Sequence, residues 1–167
     1  ILGEAEEEFK AMVEKTAVPA AWTIMGVSAI PTEHPLNVGM VGMHGNYGPN
    51  VLTNECDVLI AIGMRFDDRV TGNLSEYAKQ AKVIHFEIDP AEVDKNVKTD
   101  VAVLGDAKQS LKAILPLLNK NNHSDWLDKF KALSKIEFEK VIKGDLYPTK
   151  KGLTMGEVLK EINLQSK

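Results

Sequence analysis

Short apolar runs alternate with amphipathic stretches along this chain of 167 residues. The clearest run, residues 58–62, has the length and β-branched content of a strand that is buried on both faces. It ends at Gly63, and the following loop holds four charged side chains, Arg65, Asp67, Asp68 and Arg69. Open α/β sheets bind ligands beyond the carboxyl ends of their strands. We therefore expect a ligand site in residues 57–72.

The remaining pattern predicts both strands and helices. Further strands are predicted over residues 18–23, 83–89 and 99–104, and helices over residues 3–15, 50–55, 107–118, 125–142 and 153–163. Strands that alternate with helices indicate an α/β fold with a largely parallel sheet. Because the first predicted helix leads into a strand, we expect a βαβ unit whose first strand lies upstream of Ile1.

Three glycines at a spacing of three residues, Gly39, Gly42 and Gly45, form a second candidate feature. They match the dinucleotide-binding fingerprint poorly, although glycine does let the backbone approach a ligand closely. A plain glycine turn is the alternative. The charged loop also has two interpretations. Its arginines and carboxylates bind phosphate and ribose, or they pair with one another on the surface.

The composition narrows the classes of function. The 20 basic and 24 acidic residues give a net charge of -4, which argues against a general nucleic-acid surface. No apolar run approaches the roughly 20 residues of a membrane-spanning helix. Cys56 is the only cysteine, so no intrachain disulfide can form, and we interpret it as a small buried residue. No metal-ligand spacing links Cys56 to the histidines, and His85 is interpreted as a hydrogen-bonded structural residue.

Four segments carry a resemblance to a known family: GMVGMHGN (39–46), ECDVLIAIGMRFDDRVTG (55–72), KVIHFEIDPAEVDKN (82–96) and VLGDA (103–107). Together they closely resemble the large, catalytic subunits of acetolactate synthase. Members of this family have three α/β domains, and this chain is similar to the middle one. The resemblance implies a Rossmann-like, DHS-like sheet with helices on both faces. It also implies a central FAD-binding domain over residues 1–118, a linker and helix over 119–152, and a lead-in to the pyrophosphate-binding domain over 153–167.

The resemblance also implies an activity. The family condenses two pyruvate molecules, or pyruvate and 2-ketobutyrate, with loss of CO2 in the synthesis of valine, leucine and isoleucine. FAD belongs to the middle domain, and thiamine diphosphate and Mg2+ belong to the other two. The implied partners are small 2-keto acids, further copies in a homodimer or homotetramer, and a regulatory small subunit. The implied compartment is the cytoplasm of a bacterium or an organelle of a eukaryote.

Site residues follow from the resemblance position by position. Expected substrate-channel residues are Met43, Asp68 and Arg69. Expected FAD contacts are Thr23, Ile24, Gly42, Met43, His44, Gly63, Met64, Arg65, Asp67, Arg69, Val70, Glu87, Ile88, Gly105, Asp106 and Ala107, with Arg65 near the phosphates. No catalytic residue and no metal ligand is expected here, because the family's activating glutamate and magnesium motif lie in its other domains. The chain alone is therefore expected to be inactive.

Two alternatives remain open. In the first, the chain is the middle domain of a related thiamine-dependent enzyme, a structural module that binds no flavin and only supports a dimer. A free-standing nucleotide-binding protein with a similar sheet is the other alternative. The run RFDDRVTG (65–72) favours the flavin-binding family over the first alternative. The expected upstream strand argues against the second, because an independent domain would contain it.

Overall fold

The computed structural model describes residues 1–149 and 152–166, and these residues form five short strands and seven α-helices. The strands are β1 (Ala20–Trp22), β2 (Asn37–Met40), β3 (Val58–Ile62), β4 (Lys82–Glu87) and β5 (Val101–Leu104). The helices are α1 (Glu6–Thr16), α2 (Tyr47–Thr53), α3 (Asp68–Thr71), α4 (Ala107–Ile114), α5 (Ser124–Glu137), α6 (Lys143–Leu146) and α7 (Met155–Gln165). A π-helical segment, Phe138–Ile142, connects α5 to α6.

The strands pair in parallel and form two sheets within the described residues. One sheet joins β1 to β2, and the other has the order β3-β4-β5. At the carboxyl ends of the second sheet, Ile62 lies opposite Phe86, and Glu87 lies opposite Leu104. The predicted α/β class, with parallel strands flanked by helices, is confirmed. The prediction of a single sheet differs from the structure, because β1 and β3 do not pair and the described strands form two separate sheets.

A shared apolar cluster places the two sheets beneath the same helices. Met12 and Val13 of α1 pack with Ala20 of β1, Phe86 of β4 and Leu111 of α4. Since residues alternate between the faces of a strand, the opposite face of β4 presents other side chains. There, Val83 packs with Phe66, Tyr77 and Ala78 in a second cluster. The core therefore fixes the loop after β3 from within.

The sequence prediction for β3 is only partly correct. Its bounds are confirmed, but Val58 and Ile60 are exposed, so the expectation of a strand buried on both faces is wrong for these residues. The physical reason is position, because β3 lies at the edge of its sheet. A short apolar run indicates a strand without indicating which neighbours cover it.

Other boundaries differ from the prediction by a few residues. No strand was predicted over residues 37–40, yet Gly39 and Met40 pair with β1 as part of β2. The helix predicted over 50–55 begins earlier, at Tyr47, and the strand predicted over 99–104 begins at Val101. The helix predicted over 107–118 ends as a 3-10 turn at Leu115–Leu117, where Pro116 lacks an amide hydrogen.

Helix α5 packs onto the domain that precedes it. The buried ring of Phe130 lies against Gly48 of α2. Glu137 accepts a hydrogen bond from the Tyr47 amide at 3.1 Å and another from Asn46 Nδ2 at 3.3 Å. Residues 124–137 are therefore attached to the residues before them, and the division at residue 118 stays a prediction. No helix in the described ranges is both long and apolar enough to span a membrane.

Candidate functional site

The expected site residues lie where parallel strands end. Thr23 and Ile24 follow β1, the segment 42–44 follows β2, the segment 63–70 follows β3, Glu87 and Ile88 end β4, and the segment 105–107 follows β5. Backbone hydrogen bonds join three of these ends. Gly63 N donates to Phe86 O at 2.8 Å, and Gly105 N donates to Glu87 O at 3.0 Å. The loops after β3, β4 and β5 therefore lie side by side.

The glycine loop contacts the charged loop directly. The Met43 amide donates to the Arg69 carbonyl at 2.7 Å. Gly42 has a φ of 109°, and a Cβ atom there would lie 2.7 Å from the same carbonyl oxygen. The side-chain amide of Asn50 makes two hydrogen bonds to the backbone of Gly42. It accepts from the N–H and donates to the C=O, each at 2.8 Å. This junction requires glycine because of both its conformation and its close backbone contact.

The other two glycines of the series, Gly39 and Gly45, are required by close contacts within the turn itself. A Cβ atom on Gly39 would collide with the Asn46 side chain, and one on Gly45 would collide with the Met40 carbonyl. Asn46 Oδ1 accepts the Met40 amide at 3.0 Å, which holds the turn after β2 closed. The turn interpretation therefore explains Gly39 and Gly45, and only Gly42 lies at a contact between two site loops.

The junction borders an open cleft with a volume of about 320 Å³. The three expected substrate-channel residues, Met43, Asp68 and Arg69, all line it. Tyr77 and Asn54 also line it. The structure thus brings together residues of the loops after β2 and β3, which are far apart in sequence.

Three expected ligand-binding carboxylates also have local structural contacts. Asp67 precedes α3 and accepts the Arg69 amide at 3.1 Å, and Asp106 precedes α4 and accepts the Gln109 amide at 2.9 Å. Both are helix N-caps. Glu87 Oε1 accepts two amides, from Ile88 at 2.8 Å and from Asp89 at 3.2 Å. Each of these side chains therefore has at least one oxygen engaged within the chain.

Cations and exposed apolar side chains share this edge of the sheets. Arg65 Nη2 lies 3.7 Å from Asp67 Oδ2, and the Arg65 side chain is 68% exposed. Ile24, Met43 and Ile88 have 68%, 69% and 70% of their surface exposed. Gly63 has a φ of 59°, and a Cβ atom there would meet no atom within 4 Å. Exposed cations, apolar surface and open space beside a strand end suit a large ligand that has both phosphates and a ring system.

The sequence pattern did not indicate the residues that support these loops. Phe66 lies inside the charged run, yet it is buried and has a φ of 53°. Asn50 and Asn46 fix the glycine loop through their side chains, as described above. The aromatic side chain of Phe66, between Arg65 and Asp67, was the one available indication that part of this loop is buried, because large apolar side chains are mostly buried.

Two ionisable groups at or near the cleft, Tyr77 and Cys56, have raised pKa values. Burial raises the pKa of the Tyr77 hydroxyl far above its usual range, and the neighbouring Cys56 adds to the effect. Burial also raises the pKa of the Cys56 thiol, with a further contribution from the Asp57 carboxylate. Both groups therefore keep their protons near pH 7. Within residues 1–149 and 152–166, no cluster of three His, Cys, Asp or Glu side chains could hold a metal ion.

Comparison with known proteins identifies the family. The sequence profile described as "Thiamine pyrophosphate enzyme, central domain" matches residues 1–114. The chain therefore belongs to the family of thiamine pyrophosphate enzyme central domains.

Three curated relatives have more specific names. The chain is 41% identical to the "Probable acetolactate synthase large subunit" of Methanocaldococcus jannaschii, over 100% of this chain and 29% of that protein. It is 38% identical to the acetolactate synthase large subunit of Buchnera aphidicola, over 84% of this chain and 26% of that protein. It is also 38% identical to the acetolactate synthase isozyme 3 large subunit of Escherichia coli, over 78% of this chain and 23% of that protein. The chain thus spans less than a third of the length of these relatives.

Proposed function

We propose that this chain is the FAD-binding central domain of an acetolactate synthase large subunit. The carboxyl edge of the sheets carries this proposal, because exposed arginines, exposed apolar side chains and an open glycine occur there together. The relatives add support, since each is named as a large subunit of that enzyme.

The arrangement allows a division of tasks along the edge. Arg65 is exposed and follows the open Gly63 by two residues in the same loop, which suits the flavin phosphates. Ile24 and Ile88 offer apolar surface to the ring systems. Arg69 lines the cleft, where its guanidinium can hold the carboxylate of a keto acid. Met43 and Asp68 line the same cleft and would define its shape.

In the full-length protein, the proposed reaction joins two pyruvate molecules, or pyruvate and 2-ketobutyrate, with loss of CO2. Thiamine diphosphate with Mg2+ would supply the carbanion chemistry, held by the other domains of the protein. The role proposed for the residues of this chain is to bind and orient, with Arg65 and Arg69 as the cations that meet the anionic groups of the ligands. We also propose a homodimer or homotetramer, a regulatory small subunit, and a location in the bacterial cytoplasm or a eukaryotic organelle.

The test is the flavin content and activity of the full-length protein. We expect it to purify yellow, to release FAD on denaturation, and to form acetolactate from pyruvate. Removal of FAD should abolish this activity, and addition of FAD should restore it. A full-length protein that forms acetolactate without binding FAD would overturn the flavin assignment. A flavoprotein that forms no acetolactate would overturn the assigned reaction.

One observation favours a second candidate, a middle domain that serves only as structure. Asp67, Glu87 and Asp106 each have at least one oxygen engaged in the chain, and Arg65 pairs with Asp67. If this candidate is correct, the thermal stability of the full-length protein should not change when FAD is added. The flavin proposal predicts an increase, because a ligand that binds only the folded state stabilises it.

The isolated chain should bind FAD more weakly than the full-length protein. β1 and β3 belong to separate sheets, although both contribute to the cluster beneath α1 and α4. We propose that an upstream strand pairs between them and completes the edge. Titration of the isolated chain should therefore give a larger Kd than titration of the full-length protein, and equal values would contradict the proposal.

A further inference from the structure

The loop after β3 is held from below by a buried histidine. His85 is 0% exposed on β4, and its Nε2 lies 2.9 Å from the carbonyl oxygen of Met64. A carbonyl oxygen only accepts hydrogen bonds, so Nε2 must carry the hydrogen. His85 Nδ1 has no partner among the described residues. The one hydrogen bond observed for the imidazole is therefore made to the backbone of the loop.

The same imidazole contacts the next inward-facing residue of the loop. The rings of His85 and Phe66 lie 5.0 Å apart at an interplanar angle of 70°, an edge-to-face contact. Phe66 also meets Tyr77 edge-to-face at 6.3 Å. With a φ of 53°, Phe66 occupies a conformation that L residues rarely adopt, so tertiary contacts must maintain it.

The backbone conformation of Phe66 sets the direction of the charged side chains on either side of it. Phe66 is buried, whereas its two neighbours carry side chains with 68% (Arg65) and 39% (Asp67) exposure. If the Met64 carbonyl and the Phe66 ring were released, the backbone on both sides of Arg65 would no longer be held, and Arg65 would lose its orientation beside Asp67. Glu87 lies on the same face of β4, with Oε2 at 3.7 Å from His85 Nε2, so the histidine also lies next to the end of β4.

We propose that His85 is a positioning residue for the flavin-binding loop, acting through the Met64 carbonyl and the Phe66 ring. This inference rests on the proposed flavin site, and it assigns His85 no contact with the ligand. The imidazole of His85 favours the loop conformation in which Arg65 and Asp67 face outward while Phe66 faces inward.

The test uses three variants of the full-length protein. His85→Leu removes the hydrogen bond and the ring. His85→Gln places an amide N–H near the former Nε2 position and removes only the ring. The matched control is Val83→Ala, which removes buried apolar volume from the same face of β4 and from the same cluster, but no side-chain hydrogen bond to the loop. Urea unfolding measures the stability of each variant.

Two readouts separate positioning from stability. The first is hydrogen exchange at residues 64–71 without flavin, and the second is the Kd for FAD. We expect His85→Leu to speed exchange at these residues and to raise the Kd by about tenfold, the value of one buried hydrogen bond. His85→Gln should recover most of both effects. Val83→Ala should change neither, at a comparable loss of stability.

The outcomes decide two questions separately. If wild-type protein binds no FAD, the proposed function fails, while the exchange data still decide the role of His85. If His85→Leu leaves exchange at 64–71 unchanged, the positioning role is overturned. If all three variants change both readouts in proportion to their stability, His85 is a core residue only, and the inference is also overturned.

Discussion

The amide of Met43 donates a hydrogen bond to the carbonyl of Arg69 at 2.7 Å. This bond joins the turn after β2 to the helix after β3, and it places two expected substrate-channel residues side by side. No feature of the sequence pattern links these positions, because 25 intervening residues separate them. The contact shows that the cleft is formed by two loops from different sheets.

Gly42→Ala should disrupt this junction. The new Cβ would lie 2.7 Å from the Arg69 carbonyl, at a φ of 109° that alanine tolerates poorly. We expect a loss of about 2 kcal/mol in the free energy of unfolding, from backbone strain and overpacking together. Urea unfolding of the full-length protein measures it. A variant as stable as the wild type would show that the loops can separate at no cost.

Gly63→Ala and Gly72→Ala form a matched pair that tests where the ligand lies. Both glycines have a φ of 59°, and a Cβ at either would meet no atom within 4 Å. Each variant should therefore lose stability from backbone strain. Gly72→Ala should lose more, because the ψ of -125° at Gly72 lies outside the left-handed helical region, where the strain on a non-glycine residue is roughly 1–2 kcal/mol. Only Gly63 is an expected flavin contact, so only Gly63→Ala should weaken FAD binding, measured by fluorescence titration. An equal effect on the Kd in both variants would place the flavin elsewhere.

The packing of α5 is tested by Phe130→Ala. The ring is buried against Gly48 and lies edge-to-face with Trp126 at 5.7 Å. Its removal should lower the free energy of unfolding by about 3 kcal/mol. Leu153→Ala is the control, because Leu153 is exposed. If the two variants are equally stable, α5 contributes only as a linker.

The pH dependence of stability should reflect Asp100. Its carboxylate accepts the Val83 amide and the Lys82 ammonium, each at 2.9 Å, and these contacts hold its pKa below the ordinary value of 3.8. A lowered pKa means that the folded state prefers the ionised group. The stabilisation is therefore present above pH 3.8 and is lost as the pH falls through the lower folded-state value.

Asp100→Asn isolates this effect. The wild type should be more stable than the variant at neutral pH, and the difference should shrink below pH 3.8. Chemical unfolding at several pH values measures it. A difference that is independent of pH would mean that hydrogen bonding alone, and not the charge, explains the contribution of Asp100.

Local sequence pattern predicted most of the elements and their shared edge, although it did not predict β2. The run 58–62 and the glycine that follows it indicated a strand end, and the structure places that strand in parallel with β4. The pattern could not show that β3 lies at the edge of the three described strands, because exposure depends on neighbours far away in sequence. For the same reason, the interpretation of Val58 and Ile60 as buried was wrong.

The supporting residues of the site could be predicted only in part. His85 was expected to be a hydrogen-bonded structural residue, and its bond to Met64 confirms this. Its partner could not be foreseen, since 21 positions separate the two residues and the bond depends on parallel register. Phe66 and Asn50 were missed, because side chains that fix a loop follow no periodic pattern. The assignments of individual FAD contacts stay predictions.

The most direct measurement of the central claim is titration of the full-length protein with FAD, in the wild type and in Arg65→Gln. Arg65 is exposed and has only a 3.7 Å pair with Asp67, so its removal should change stability little. Lys131→Gln, which removes an exposed cation on α5, is the matched control. We predict stoichiometric FAD binding by the wild type and the control, and a Kd raised about tenfold or more in Arg65→Gln. A wild-type protein that binds no FAD, or an Arg65→Gln variant that binds it equally tightly, would contradict this account.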